Sequence, residues 1–240
     1  MPHSTLDLTG RHVIITGGAG ALGTAVVARF LAAGATCHVP TIDDGPGSLG
    51  LPGARYIPRI NLGEEQAVVD LYAGLPGLWA SVHLAGGFSW NRLEDTKSSD
   101  VRAQFEMNAM TCFLCSREAV KRMRARAADA SDSELGGRIV NVGSRATLIP
   151  STGMAAYAMA KAAVQALTTQ LAEELRDERI LVNAVLPSII DTPFNRASMP
   201  DADHDRWPKP ADIAEAALFL ACPSNSLTSG ALIPVYGRGV

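Results

Sequence analysis

The residues with the clearest chemical potential are Tyr157 and Lys161, in the run Tyr-Ala-Met-Ala-Lys. Four residues apart on a helix, a phenol and an ammonium share one face. A nearby cation favours the phenolate and lowers the tyrosine pKa, as proton transfer near neutrality requires. Taken alone, such a pair is more often structural, because the spacing is simply helical. Upstream, Arg138 to Val142 reads as a strand that delivers Gly143 and Ser144. A doubly wound sheet keeps its ligands at that strand end, and there the Ser144 hydroxyl can hydrogen-bond a substrate carbonyl.

A second chemical feature is Thr16-Gly-Gly-Ala-Gly-Ala-Leu-Gly23, set between an apolar strand and a helix. Side chains are absent where a pyrophosphate must approach the backbone, and helix N-terminal amides favour its charge. Gly17, Gly20, Ala21, Leu22 and Gly23 are therefore candidate cofactor contacts. A glycine turn also serves plain strand-to-helix packing; its place between the first strand and first helix favours the dinucleotide reading. The second strand runs into Thr41-Ile-Asp43-Asp44, with no Arg or Lys in this turn or the glycine loop. Carboxylates repel a 2′-phosphate, so Thr41 and Asp43 favour NAD(H) over NADP(H). The bland reading of Asp43 and Asp44 is a solvated Asp-Asp-Gly-Pro-Gly turn.

The positioning elements follow from periodicity. Strands are expected at 11–16, 35–41, 55–60, 78–85, 138–142, 180–186 and 231–235, with helices at 22–33, 64–72, 99–128, 155–176 and 211–221. The alternation predicts an α/β fold, a Rossmann-like doubly wound parallel sheet of about seven strands with helices on both faces. Without a domain linker, residues 1–240 read as one domain. Residues 127–137, small and acidic, read as a surface insertion, and 189–210, rich in Pro, Asp and Asn, as a mobile loop over the site.

Composition narrows the partners. A formal charge of −3 with scattered Lys and Arg gives no footprint for nucleic acid, so a small molecule is expected. Cys37, Cys112, Cys115 and Cys222 fall in core-like segments, which suits reduced thiols. The first residues lack a secretory pattern and no apolar run is long enough to span a bilayer, so no membrane association and a cytoplasmic location are expected. Cys112 and Cys115 have a metal-like spacing but no second pair. The basic run Lys121 to Arg126 suits a helix C-terminus. His204 among Asp201, Asp203 and Asp205 reads as solvated, and no metal is assigned.

With these motifs in order, the chain resembles the short-chain dehydrogenase/reductase family from Leu8 to Gly237. The glycine loop looks like the family's cofactor loop, and Asn108, Ser144, Tyr157 and Lys161 match its catalytic positions. The resemblance implies that Tyr157 moves the hydroxyl proton while Ser144 orients the carbonyl. Lys161 tunes Tyr157 and holds the nicotinamide ribose, and Asn108 positions a relay water. Hydride moves to or from nicotinamide C4. The family's Asn-Asn-Ala-Gly is here His83-Leu-Ala85-Gly86-Gly87, whose small residues still allow close cofactor approach, with His83 more structural than catalytic. Asn61 falls at an adenine-contacting position, with turn formation an equal reading. Asn183 to Pro193 resembles the family's Pro-Gly segment, with Ser188 for Gly. Pro187 falls in that segment, and the Ile190 backbone and Thr192 are implied to meet the carboxamide.

Position at the sheet edge nominates Phe88, Trp90, Arg145, Ser151, Met154 and Phe194 for a mixed apolar pocket. Arg145 reads equally as a partner for an acidic substrate group or as a surface ion pair. The leading reading is an oxidoreductase for a carbonyl/alcohol substrate. The alternative is a catalytically idle dinucleotide-binding regulatory protein on the same fold. A sugar-nucleotide epimerase also uses Tyr-x-x-x-Lys but carries a sizeable C-terminal domain. Alanine-rich helices around Asn108 and Tyr157 predict a homotetramer, or failing that a dimer.

Overall fold

The computed structural model describes residues 6–127 and 136–238. Seven strands form one sheet: β1 (His12–Thr16), β2 (Thr36–Pro40), β3 (Arg55–Ile57), β4 (Ala80–His83), β5 (Gly137–Val142), β6 (Ile180–Pro187) and β7 (Leu232–Val235). Their order is β3-β2-β1-β4-β5-β6-β7, and every neighbouring pair is parallel. All eight residues of β6 are buried, as a strand covered on both faces requires.

Helices cover both faces. On one, α1 (Ala21–Ala32) packs against α7 (Pro210–Ala221), with Val26, Phe30, Ile213 and Leu218 over Val13, Ile15 and Val82. On the other, α2 (Glu65–Ala73) and α4 (Thr111–Ala127) enclose Val68, Leu71, Leu114 and Met123 against Ile14, Ile139 and Val182, and α5 (Ala155–Glu174) packs on β6. Strand order reverses at β1 and β4, which opens a crevice at their C-terminal ends where such sheets bind ligands.

Three elements differ from the sequence reading. The third strand stops at Ile57, because Pro58 cannot donate to the ladder and Arg59 turns into the left-handed region at φ 59°. The long helix expected over 99–128 is divided into α3 (Ser98–Gln104), a π turn (Phe105–Met110) and α4. The 189–210 segment contains α6 (Pro193–Ser198), capped by Thr192 and started by Pro193, and a 3-10 turn at His204–Arg206. Of the expected insertion at 127–137, residues 128–135 lie outside the described residues.

Among the described residues no helix is long and apolar enough to cross a membrane. All four cysteines are free and buried. The basic end of α4 is paired locally, Lys121 with Glu118 at 2.8 Å and Arg124 with Glu178 at 2.6 Å. His204 bonds the Met199 carbonyl at 2.8 Å and stacks on Trp207.

Candidate active site

A cavity of about 780 Å³ lies along the C-terminal ends of β1, β2 and β4, lined by Gly17, Gly20, Thr41, Asp43, Asn61, Ala85 and Gly86 among others. Its floor is shaped by missing side chains. Gly17 has φ +68°, and a Cβ there would stand 2.7 Å from the Ala85 nitrogen. A Cβ on Gly23 would stand 2.1 Å from the Gly17 carbonyl oxygen, so Gly23 lets α1 close onto the loop. Ala21 and Leu22 open α1 behind Gly20, whose N-cap position has no side-chain cap, leaving first-turn amides available to an anion. Volume, bare backbone and free amides fit a dinucleotide.

At the ribose end the structure corrects a premise of the cofactor reading. Arg59, remote in sequence from the turn, meets Asp44 at 2.5 Å and donates its backbone amide to the Asp43 carbonyl at 3.1 Å. A cation therefore does reach this turn, through the left-handed bend after β3. Asn61 both lines the cavity and builds its turn, accepting from the Gly63 amide and donating to Glu64 at 3.0 Å each.

The catalytic candidates converge on the neighbouring strand ends. Ser144 follows β5, its hydroxyl accepting the Ala146 amide at 3.2 Å. Tyr157 and Lys161 project from the first turns of α5. The Lys161 Nζ donates to the Val142 carbonyl at 2.9 Å and stands 5.9 Å from the Tyr157 ring. Burial pushes the Lys161 ammonium down to about 8. Tyr157 is not lowered as the Tyr-Lys spacing suggested. Burial raises its pKa, and the Ser144 hydroxyl beside it offsets this only in part. The phenol thus stays protonated near neutral pH, with burial the larger influence on it.

Asn108 completes the group and accounts for the π turn. Its Nδ2 donates to the Gly87 carbonyl and to the Gln104 carbonyl, each at 3.0 Å. The second acceptor is the i−4 carbonyl an α-helix would assign to the Asn108 amide, so the side chain displaces the ladder and the turn widens. A Cβ on Gly86 would fall 2.4 Å from Asn108 Oδ1 and 3.6 Å from Lys161 Nζ. Asn108 and Lys161 therefore approach the same bare backbone.

Residues 11–203 match the family model for short chain dehydrogenase. This chain belongs to the short-chain dehydrogenase/reductase family. As an oxidoreductase of that family, which uses NAD(P), it is 29% identical to the cyclic-di-GMP-binding biofilm dispersal mediator protein of Escherichia coli, over 95% of this chain and 97% of that one. It is 31% identical to galactitol 2-dehydrogenase of Rhizobium johnstonii, over 95% and 94% of the two chains. A solved short-chain dehydrogenase/reductase from Mycobacterium ulcerans superposes with a TM-score of 0.85 at 25% identity, covering 97% of this chain and 90% of that one.

This family member's departures have local causes. His83 is buried between sheet and helix, its Nδ1 2.8 Å from Asn141 Oδ1 and its Nε2 2.7 Å from the Ser81 hydroxyl, which also meets Tyr72. Asn141 in turn donates to Thr168 on α5 at 2.9 Å and accepts from Cys112 on α4 at 3.3 Å. The imidazole therefore ties β4 to β5, and through Asn141 to both flanking helices. Ser188 bonds the Tyr236 carbonyl at 2.9 Å, fastening the end of β6 to the segment after β7.

Other expected contacts are spread more widely. Pro187 ends β6, the Ile190 carbonyl accepts Asn195 Nδ2 at 2.8 Å, and the Thr192 hydroxyl accepts the Asn195 amide at 3.2 Å. None of these three lines the large cavity. Phe88 packs edge-on against Tyr157 at 5.1 Å, and Trp90 donates to the Thr152 carbonyl at 2.9 Å. Ser151 and Met154 line a second cavity, of about 510 Å³, with residues 91–94. Phe194 is exposed. Sequence reasoning missed Glu106 and Met107, which line the large cavity from the π turn. It also missed Ala19, which the glycine loop itself signalled.

Proposed function

We propose that this chain transfers a hydride between NAD(P)(H) and a carbonyl/alcohol substrate, with Tyr157 as the acid/base. The observation carrying this reading is the convergence of Asn108 and Lys161 on Gly86, with Ser144 beside Tyr157, next to a cavity that fits a dinucleotide. A bound nicotinamide supplies or accepts the hydride. Tyr157, protonated at neutral pH, gives its proton to the nascent alkoxide in reduction and recovers it in oxidation. Ser144 holds the carbonyl oxygen within reach of the phenol. Lys161 adds a positive charge that favours the phenolate once the proton has left. Asn108 fixes Gly87 and orients a proton-relay water.

NAD(H) is favoured over NADP(H). Asp43 lines the cavity, and Arg59 is already neutralised by Asp44. The contacts assigned to Pro187, Ile190 and Thr192 with the carboxamide belong to the same reading. Buried free thiols suit a cytoplasmic location.

The test is separate titration with NADH and NADPH followed by turnover on ketones, aldehydes and keto acids, for the wild type and Tyr157→Phe. Retained cofactor binding with turnover lowered by roughly 10²–10⁴ in Tyr157→Phe is expected. Cofactor binding without turnover of any substrate by the wild type would instead favour an idle, regulatory dinucleotide-binding protein.

A further inference from the structure

We propose that Arg145 is the recognition site for a carboxylate on the substrate, making this an oxidoreductase of keto acids and their hydroxy acids; the inference rests on the hydride-transfer reading above. Arg145 directly follows Ser144, whose side chain lies beside Tyr157. Its guanidinium carbon lies 5.9 Å from the ring of Tyr236, the residue after β7. Since β6 lies between β5 and β7, the side chain crosses the C-terminal end of β6. It therefore stands on the same edge of the sheet as Ser144.

The guanidinium is underused in the protein itself. Arg145 Nε is buried and has no hydrogen-bond partner. Three other arginines share that feature, but Arg122 and Arg138 donate through their other nitrogens to backbone carbonyls and Arg126 to that of Gly136. Among the described residues, the aromatic face of Tyr236 is the one ring that the Arg145 guanidinium meets, and no carboxylate pairs with it. On the loops after β6 and β4, Asp191 binds Arg196 through both carboxylate oxygens and Glu94 faces Arg92 at 3.7 Å.

A desolvated donor without an acceptor is costly, and a buried unsatisfied group calls for a cause. A carboxylate supplies one: it accepts from Arg in a fork and brings a single negative charge to a single cation. A phosphoryl group, with a charge of roughly −1.5 to −2, calls for further donors. With the carbonyl held by Ser144 and the carboxylate by the next residue, the substrate is short, and binding fixes which face meets the hydride.

The experiment separates binding from chemistry. Tyr157→Phe protein loaded with reduced cofactor is titrated with 2-, 3- and 4-oxo acids, each beside its methyl ester, and with a phosphorylated ketone, in the presence and absence of Arg145→Gln. The expected result is at least one oxo acid binding roughly 10–100-fold tighter than its ester, with that ratio collapsing towards unity in Arg145→Gln and only partly restored in Arg145→Lys. An acid-to-ester ratio near one, a ratio insensitive to Arg145→Gln, or tighter binding of the phosphorylated ketone would overturn the proposal. Wild-type turnover on the same panel is read independently. Neutral ketones reduced without preference for acids refute the carboxylate site alone, whereas acids bound through Arg145 but never reduced refute hydride transfer alone.

Discussion

Asn108 and Gly87 hold each other by two hydrogen bonds, Nδ2 to the Gly87 carbonyl at 3.0 Å and the Gly87 amide to Oδ1 at 3.3 Å. This reciprocal pair joins the loop after β4 to the π turn between α3 and α4. The widened turn, the cofactor floor and the catalytic group thus depend on one amide.

Replacing Asn108 by Ala removes both bonds and leaves the Gly87 groups without their partner. We expect a loss of stability of about 1–3 kcal/mol, with cofactor affinity and turnover falling together. Thermal unfolding and cofactor titration of Asn108→Ala check this; a variant as stable as wild type would show that the pair carries no load.

Cofactor choice is expected to reside in Asp43. Asp43→Ser removes a carboxylate from the cavity wall and should move the Kd ratio of NADPH to NADH roughly 10-fold towards NADPH. Adding Asp44→Ser, which releases Arg59 from its 2.5 Å pair, should move it further. An unchanged ratio in both variants would place ribose selection elsewhere.

His83 makes stability pH-dependent with a definite sign. Burial lowers its pKa to about 4 from 6.5, so between these values the unfolded chain binds a proton that the folded chain does not. Stability therefore rises with pH across this window and is lost as pH falls from 6.5 towards 4, by up to ~1.4 kcal/mol per pH unit for this group. His38, lowered to about 4 chiefly by burial and then by His12, adds a slope of the same sign. Denaturant titrations of wild type and His83→Asn at several pH values should show a shallower dependence in the variant; parallel curves would exclude His83.

We propose self-association through the face carrying Met110 and Phe113 at the start of α4, which are 41% and 43% exposed, and Met159 of α5. Light scattering should give a tetramer or dimer. Phe113→Glu should shift it to smaller species, and a monomeric wild type would refute the assignment.

Much of this arrangement was legible in the residues. Short apolar runs alternating with helical segments marked a parallel sheet, since strands covered on both faces are mostly apolar, and polar exceptions such as Ser81, His83 and Asn141 are hydrogen-bonded. Gly17, Gly20 and Gly23 marked the loop because their need for bare backbone is local. Ser144, Tyr157 and Lys161 stood out through order and spacing. The π turn was not legible: Asn108 bonds the Gln104 carbonyl inside the helix and Gly87 in a loop 21 residues away, and side-chain bonds of this kind leave no mark on periodicity.

The sequence by itself determined the order of elements, the glycine loop and the candidate reacting groups, because propensity, backbone freedom and spacing are properties of neighbours along the chain. Only the tertiary structure decided how those groups are tuned and paired. It turned Lys161 onto the Val142 carbonyl and left the Tyr157 phenol raised by burial; it carried Arg59 to Asp44; it set His83 among Ser81, Asn141 and Cys112; and, among the described residues, it left the buried Arg145 Nε without a hydrogen-bond partner. Desolvation and pairing depend on what packs alongside, and those neighbours come from strands and helices far apart in the chain.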